Sequence, residues 1–304
     1  EKIYLLMSEF IEKGYKIIPN LISDSSVDKL LEKYNEFKNA KKIYFSQATH
    51  RYVRCKLNKH GFLKESMEGV GRQYNSGCFG KNINRILLGK EVEAELNKIF
   101  PNFPGFVQHQ HMFFDLSMET VDHIDSWYLD TYPKGYLVGL WVALENINKN
   151  SGPFRIYPGS HKLINPYDIQ NLSHKDFLFK INTIKENLSP IDLTIPKGHA
   201  VIWDSALIHG ASTIKNDSFS RKSLTAHYSP LNMQIQRKNI YKNRLNFFKN
   251  LSYNFFQYPT LENKNLPIYK LNNPLSESIQ NIRLFINQIV LNSLNISSFK
   301  KPFM

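Results

Sequence analysis

The stretch FVQHQHMFF, residues 106–114, is the first of a series of short β-rich segments. It is followed by YLVGLWVAL at 136–144 and by FRIY at 154–157, which runs into a Pro-Gly turn. Further segments of this kind lie at 191–195, 199–208 and 224–228. Short strands separated by Pro and Gly turns are typical of a β-sandwich or a jelly roll. A mainly β core is therefore expected.

The segments on either side of this core are predicted to add helices. Apolar residues at helical spacing predict a first helix that ends at Gly14, with a strand after it at 15–18. Ser23 offers an N-cap to a second helix, and further helices are expected at 82–100 and 277–294. No repeat or linker is visible, which predicts a single domain over 1–304. Its parts would be a helical region 1–104, the β core 105–230 and a C-terminal helical extension 231–304.

The composition excludes several classes of protein. A hydrophobic fraction of 42% over 304 residues is too high for a mostly disordered chain. Only two cysteines occur, which excludes a disulfide framework and a Cys-rich metal site. The apolar stretch at 282–294 is too short to span a bilayer, and no secretory signal pattern is visible. We expect a cytoplasmic protein that does not associate with membranes.

The formal net charge of +13 raises the question of nucleic-acid binding. The lysines are spread along the chain, often beside asparagine, and no run of five basic residues occurs. A solvated basic surface is the favoured interpretation, and attraction of an anionic substrate is the second. We therefore expect no specific nucleic-acid partner, while the oligomeric state is left open.

The motif His123-Ile124-Asp125 carries the functional argument. On a strand, side chains i and i+2 lie on the same face, so His123 and Asp125 can bind one metal ion side by side. His209 follows at the end of the apolar segment 200–208. Two histidines and one carboxylate form the facial triad typical of non-haem iron(II), which leaves coordination positions open.

Two similar motifs compete with this one. His174-Lys175-Asp176 repeats the spacing, but it lies in a polar stretch without strand alternation, so we interpret it as a helix start or a loop. His109 and His111 share one strand face and could suggest an HxH metal pair. No acid follows them at a convincing spacing, and core or pocket-lining histidines are the favoured interpretation.

Arg221 and Ser223 stand at the head of the segment that contains 224–228. A dicarboxylate that chelates a metal at one end needs a cation at its other end. The planar guanidinium of arginine matches a carboxylate with two parallel hydrogen bonds, which lysine cannot do. Ser223 shares the strand face of Arg221 and can add a hydroxyl donor.

These residues resemble the phytanoyl-CoA dioxygenase-like family of iron(II)/2-oxoglutarate oxygenases. The resemblance extends in patches over residues 10–230, and its specific part is the block SGPFRIYPGSH at 151–161 between the HxD motif and the distal histidine. Further matching patches are HIDSWYL at 123–129, GLWVAL at 139–144, and the segment from KGHA at 197–200 through His209-Gly210 to Arg221.

The resemblance implies a double-stranded β-helix of the jelly-roll, cupin-like type. It implies iron(II) bound by His123, Asp125 and His209, with the cosubstrate 2-oxoglutarate paired to Arg221. The expected reaction uses O2: one oxygen atom enters succinate as CO2 leaves, and the other serves to oxidise an unactivated C–H bond. Gln110 is the candidate for the second carboxylate of 2-oxoglutarate. Some relatives are halogenases in which a small residue replaces the carboxylate ligand, so Asp125 favours hydroxylation or another two-electron oxidation.

The substrate pocket is less well defined by the sequence. Trp127, Trp141 and Arg155 are predicted to line it, although both tryptophans could be core residues and Arg155 could pair with an acid at the rim. The expected substrate is a small metabolite or natural-product intermediate. One alternative is a non-catalytic β-helix protein that binds a partner or nucleic acid through its basic surface. Another is a zinc hydrolase, in which Arg221 would have no role.

Overall fold

A computed structural model describes residues 2–49, 51–72, 77–231, 233–237 and 298–300. The helices are α1 (Lys2–Lys13), α2 (Asp24–Asn39), α3 (Gly77–Leu87), α4 (Lys90–Ile99), α5 (Asp125–Tyr128), α6 (Pro166–Ile169) and α7 (His174–Lys185). The strands are β1 (Tyr15–Ile18), β2 (Ile43–Phe45), β3 (Arg51–Arg54), β4 (Met67–Glu68), β5 (Phe106–Phe114), β6 (Leu129–Tyr132), β7 (Val138–Ala143), β8 (Phe154–Ile156), β9 (Ile191–Leu193), β10 (Ala200–Asp204), β11 (His209–Ala211), β12 (Ser223–Pro230), β13 (Gln234–Arg237) and β14 (Ser298–Lys300). Among these residues, no helix combines the length and apolar character needed to cross a bilayer.

Two antiparallel sheets form the centre of the fold. The large sheet has the strand order β1-β10-β7-β12-β5-β4, and a smaller sheet has the order β11-β8-β9. Trp141 and Trp203 of the large sheet pack with Phe154 and Ile156 of the small sheet in one buried cluster. The two sheets therefore lie face to face, and the mainly β, jelly-roll fold predicted from the sequence is confirmed.

Helices cover the outer face of the large sheet. Leu140, Leu224 and Tyr228 point to this face and join a second buried cluster with Leu30 of α2 and Ile83 of α3. Successive side chains of a strand point to opposite faces of the sheet, so the residues next to these along each strand point inward. The apolar outer face is thus buried under helices, and the inner face is left to line the gap between the sheets.

The caps of the first helices agree with the sequence. The predicted helix end at Gly14 and the strand at 15–18 are confirmed, and the hydroxyl of Ser23 accepts a hydrogen bond from the Ser26 N–H at the start of α2. Strand β1 pairs with β10, so it lies in the large sheet although it precedes the predicted core. Strand β4 likewise pairs with β5. The division into regions 1–104, 105–230 and 231–304 stays a prediction.

Two predicted elements are wrong in their extent. The single helix expected at 82–100 is two helices, because the chain breaks at Gly89, which serves as the N-cap of α4. The strand expected over 199–208 ends at Asp204, where a turn follows and His209 begins a strand of its own. The helix expected at 277–294 lies outside the described residues.

A buried tyrosine–aspartate contact joins the helical region to the large sheet. The Tyr34 hydroxyl of α2 donates to Asp115 Oδ2 at the end of β5, and the same oxygen accepts the Leu63 N–H at 2.8 Å. Tyr34 is fully buried, and Asp115 is 2% exposed. Removing one donor from a buried carboxylate leaves that oxygen under-solvated.

We predict that Tyr34→Phe lowers the free energy of unfolding by about 1–3 kcal/mol, the usual effect of losing one partner of a buried hydrogen bond. Urea unfolding followed by circular dichroism measures this change. Tyr132→Phe is the control, since Tyr132 is 53% exposed and should lose almost nothing. Equal unfolding midpoints for Tyr34→Phe and the wild type would show that the contact does not stabilise the fold.

Candidate functional site

A pair of backbone hydrogen bonds brings two of the predicted metal ligands together. The His123 N–H donates to the His209 carbonyl at 2.8 Å, and the His209 N–H donates to the His123 carbonyl at 2.9 Å. This antiparallel bridge holds the two imidazole rings side by side, with centroids 4.4 Å apart. The glycine after His209 permits the close approach, because a Cβ on Gly210 would lie 2.5 Å from Asp122 Oδ1.

The prediction that His123 and Asp125 lie on one continuous strand is wrong, although their side chains do come together. His123 forms only the isolated bridge to His209, and Asp125 is the first residue of the short helix α5. The chain therefore turns from an extended residue, Ile124, into a helical one. This turn brings the carboxylate to the histidines, where the sequence argument assumed a continuous strand.

The three side chains form a compact donor set. Asp125 Oδ1 lies 3.7 Å from His123 Nε2 and 3.6 Å from His209 Nε2. One ligand atom from each residue lies within 4.8 Å of the others, and this is the metal-ligating group found in the described part of the chain. Two imidazole nitrogens and one carboxylate oxygen fit iron(II) and leave room for further ligands.

Hydrogen bonds to the backbone orient both imidazoles. His123 Nδ1 lies 2.8 Å from the Val121 carbonyl, and His209 Nδ1 lies 2.9 Å from the Leu207 carbonyl. A carbonyl can only accept, so each Nδ1 carries a proton, and Nε2 is the ring atom left to bind a metal. Such partners commonly fix the tautomer of metal-binding histidines. The residues present therefore fit a metal centre.

Burial and neighbouring charges shape the protonation of the triad. Burial lowers the pKa of His209 to about 4, so its ring is neutral at physiological pH. Burial also opposes the charge on Asp125, yet the neighbouring His227 and His209 hold the pKa of its carboxyl well below the ordinary value. Burial acts to lower the pKa of His123 as well, but the Asp125 carboxylate outweighs it and the pKa is raised.

Arg221 lies inside the fold. It is 3% exposed, and its guanidinium carbon lies 5.2 Å from the centre of the Phe114 ring and 5.9 Å from that of Trp141. Burial lowers the pKa of Arg221 to about 10. Ser223, also buried, lies beside it, with its hydroxyl 3.4 Å from the Arg221 carbonyl. Arg221 thus lies two residues before β12, and Ser223 is the first residue of that strand. Their assignment to 2-oxoglutarate stays a prediction.

The remaining predicted site residues fall into different surroundings. Gln110 of β5 is partly buried, and its amide nitrogen lies 3.9 Å from Met112 Sδ. Trp141 is buried between the sheets, where it stacks on Phe154. Trp127 instead stacks on Phe177 of α7 at 4.5 Å. Arg155 pairs with Asp192 at 2.9 Å.

These contacts explain Trp127 by packing and Arg155 by an ion pair, which are the plain interpretations that the sequence left open. The pocket role of Trp127, Trp141 and Arg155 stays a prediction. The second HxD motif is a helix start, as expected, since Ser173 caps α7 at His174.

Two neighbours of the triad were not predicted. Trp203 Nε1 donates to Asp125 Oδ2 at 2.8 Å, and His227 Nε2 lies 3.2 Å from the same oxygen. Ser223, Thr225 and His227 alternate along β12. This alternation of polar residues is the sequence signal from which His227 could have been found. No sequence signal indicated Trp203, because it lies in an apolar run.

Comparison with known proteins identifies the group to which the chain belongs. Residues 10–223 match the phytanoyl-CoA dioxygenase (PhyH) family. The chain is a member of this family. Enzymes of the PhyH family use iron(II), 2-oxoglutarate and O2, and the donor set described above suits that use.

Individual relatives of this PhyH member are distant. Human peroxisomal phytanoyl-CoA dioxygenase is 30% identical over 110 residues, which is 35% of this chain and about a third (32%) of the human protein. Phytanoyl-CoA dioxygenase 1 of Oryza sativa subsp. japonica is 26% identical over 256 residues, 72% of this chain and 85% of the rice protein. The epimerase SnoN, in complex with Fe3+, α-ketoglutarate and nogalamycin RO, has a TM-score of 0.59 at 12% identity and covers 90% of this chain and 96% of its own. At this identity the likeness to SnoN shows the fold.

We predict that His123→Ala, Asp125→Ala and His209→Ala each weaken iron(II) binding by more than ~100-fold, beyond the ~10–100-fold usual for residues that only orient ligands. Anaerobic titration of iron(II) against a competing chelator measures the affinity. His174→Ala, from the second HxD motif, is the matched control and should bind iron(II) like the wild type. A large loss in His174→Ala with none in His123→Ala would mean that the metal ligands are wrongly assigned.

Proposed function

We propose that this chain is an iron(II)/2-oxoglutarate-dependent dioxygenase that oxidises a C–H bond of a small molecule and releases succinate and CO2. Membership of the PhyH family and the geometry of His123, Asp125 and His209 support this function. The observation that carries it is the buried guanidinium of Arg221.

Within the described residues, no acid forms an ion pair with Arg221, and its buried Nε has no hydrogen-bond acceptor. An unpaired charge in the interior is costly. Such a charge is expected where a ligand of opposite sign binds. The fork of donors on a guanidinium favours a carboxylate, so the distal carboxylate of 2-oxoglutarate is the proposed ligand.

A chain of ring contacts connects this cation to the metal triad. Arg221 lies against Trp141, Trp141 stacks on Phe154 with ring centres 5.7 Å apart, and Phe154 lies 5.5 Å from the His209 ring. The cation and the triad therefore border the same aromatic gap between the sheets. A dicarboxylate that binds the metal at one end and Arg221 at the other suits this arrangement.

The residues of the chain have distinct roles in the proposed reaction. The triad holds the metal, Arg221 orients 2-oxoglutarate, and the aromatic side chains between them exclude water. Bound iron(II) supplies the activation of O2 that couples decarboxylation of 2-oxoglutarate to oxidation of the substrate. Ser223 and Gln110 are proposed as further donors to the cosubstrate.

The proposed substrate is a small metabolite or natural-product intermediate. SnoN, whose fold this chain shares, belongs to nogalamycin biosynthesis, and several relatives carry the name phytanoyl-CoA dioxygenase. Natural products of the nogalamycin type and acyl-CoA esters of the phytanoyl-CoA type are therefore the first two classes to test. The proposed outcome is hydroxylation.

We predict that Arg221→Ala lowers the affinity for 2-oxoglutarate by more than ~100-fold, because a broken buried ion pair costs about 3–5 kcal/mol. Titration of 2-oxoglutarate into the iron-loaded, oxygen-free protein, followed by its metal-to-ligand absorption band, measures this loss. Arg221→Lys should recover only part of it, since a point charge does not replace the fork. Iron(II) affinity without 2-oxoglutarate is the internal control and should not change. Equal 2-oxoglutarate affinities in Arg221→Ala and the wild type would refute the cosubstrate role.

Replacing Arg221 should lower the affinity for 2-oxoglutarate without lowering the stability of the ligand-free protein. Arg221→Met replaces a buried, unpaired cation by an apolar side chain of similar length, so the ligand-free variant should be as stable as the wild type or more stable. Adding 2-oxoglutarate to the metal-loaded protein at 100 times its dissociation constant should stabilise the wild type by about 2.7 kcal/mol and should leave the metal-loaded variant nearly unchanged. Thermal unfolding of the ligand-free protein, and of the metal-loaded protein with and without 2-oxoglutarate, measures these values. A ligand-free Arg221→Met that unfolds far below the wild type would indicate a structural role for the arginine.

Turnover tests the function as a whole. The iron-loaded protein is incubated in air with 2-oxoglutarate and each candidate substrate, and succinate is measured together with the mass of the product. We expect stoichiometric succinate and a product heavier by one oxygen atom, and neither with Asp125→Ala. Wild-type protein that fails to bind iron(II) and 2-oxoglutarate would refute the proposal.

A further inference from the structure

Three residues on neighbouring strands of the large sheet form one row behind the metal triad. Trp203 of β10 is paired with Gly139 of β7, and Gly139 is paired on its other side with His227 of β12. Directly paired residues point to the same face of a sheet. On the inner face, the row therefore consists of the Trp203 indole, Gly139 without a side chain, and the His227 imidazole.

The glycine makes room for the indole. A Cβ built on Gly139 would lie 2.1 Å from Trp203 Cζ2 and 2.2 Å from Cε2. The indole thus lies across the backbone of β7 at this point. Its ring centre is 6.0 Å from that of His227, with the two planes nearly perpendicular.

Both rings meet the same oxygen of Asp125. Trp203 Nε1 donates to Oδ2 at 2.8 Å, and His227 Nε2 lies 3.2 Å from Oδ2. The other oxygen, Oδ1, is the one that lies 3.6–3.7 Å from the Nε2 atoms of His209 and His123. The two oxygens of the carboxylate therefore have different neighbours: Oδ2 faces Trp203 and His227, and Oδ1 faces His123 and His209.

We propose that Trp203 and His227 are positioning residues that hold Asp125 as a ligand through Oδ1 alone, and that Gly139 is required for the indole to reach it. This inference rests on the proposed metal centre. An indole N–H can only donate, so it occupies Oδ2 in a fixed direction and leaves Oδ1 free. Without these contacts the carboxylate can rotate or bind the metal through both oxygens, which would occupy a coordination position needed by other ligands.

The matched pair Trp203→Phe and Tyr228→Phe tests the role of the indole. Each variant removes one hydrogen-bond donor from a buried aromatic side chain. Trp203 donates to Asp125, whereas Tyr228, next to His227 on the opposite face of the sheet, donates to the Leu87 carbonyl at 2.7 Å. We expect Trp203→Phe to weaken iron(II) binding by about 10–100-fold, the range for lost partners of metal ligands. Tyr228→Phe should bind iron(II) like the wild type.

A second pair tests the imidazole. His227→Gln places an amide N–H near Asp125 and should retain most of the iron(II) affinity, whereas His227→Leu should lose about 10-fold or more. This pair also decides the question if Trp203→Phe does not fold. The visible spectrum of the Co(II)-loaded proteins gives a readout besides affinity, because it reports coordination number and geometry. It should change in Trp203→Phe and His227→Leu and stay as in the wild type for Tyr228→Phe.

The outcomes separate this inference from the proposed function. Wild-type iron(II) affinity and an unchanged Co(II) spectrum in both Trp203→Phe and His227→Leu would overturn the positioning role while leaving the oxygenase intact. Equal losses in Trp203→Phe and Tyr228→Phe would also overturn it, because the effect would then be one of general stability. Wild-type protein that binds neither iron(II) nor Co(II) would overturn both proposals.

Discussion

The pair of backbone hydrogen bonds between His123 and His209 is the constraint on which the site depends. It joins the segment after β5 to the edge strand of the small sheet, two parts of the chain that are far apart in sequence. The carbonyls of Val121 and Leu207, which orient the two rings, each come from the residue two positions before the histidine they bind. The backbone path therefore sets both the spacing of the imidazoles and their tautomer, before any metal binds.

Arg221 and Lys222 are adjacent cations with contrasting surroundings. Lys222 lies 3.2 Å from Glu145 and 3.6 Å from Asp115, so its ammonium group is neutralised by the protein itself. Arg221 is the preceding residue of the chain, and it points between the sheets, against the rings of Phe114 and Trp141. Both cations contribute to the formal charge of +13. Their different surroundings show why net charge alone says little about what a chain binds.

The sequence predicted the features that depend on local pattern. The cap at Ser23 and the alternating strands were predicted correctly, because side-chain chemistry near in sequence decides them. The break at Gly89 was missed, since an isolated glycine in a helical pattern is compatible with a continuous helix. The contact between Trp203 and Asp125 could not be predicted, for a different reason. The neighbour Gly139 is brought beside Trp203 by the sheet register, and the partner Asp125 is brought to it by the turn into α5.

Strand β12 shows how one sheet serves both stability and chemistry. Its outward residues, Leu224, Ala226 and Tyr228, are buried against the helices, while Ser223 and the other alternate residues line the inner gap. On this strand the apolar side chains are therefore buried on the outer face, and the polar ones point to the inner face. Residues of the inner face can then differ between members of a fold without loss of the sheet, as expected when function resides in a site carried by a common fold.

The position of Gly139 limits this freedom. A side chain there would collide with the indole of Trp203, so the two positions are coupled: any residue larger than glycine at 139 requires a smaller or displaced side chain at 203. Displacement of the indole removes the hydrogen bond to Asp125 Oδ2. A substitution on β7, which supplies no metal ligand, thus alters the carboxylate ligand through the neighbouring strand. The absence of a side chain at position 139 of β7 therefore contributes to the geometry of the metal site.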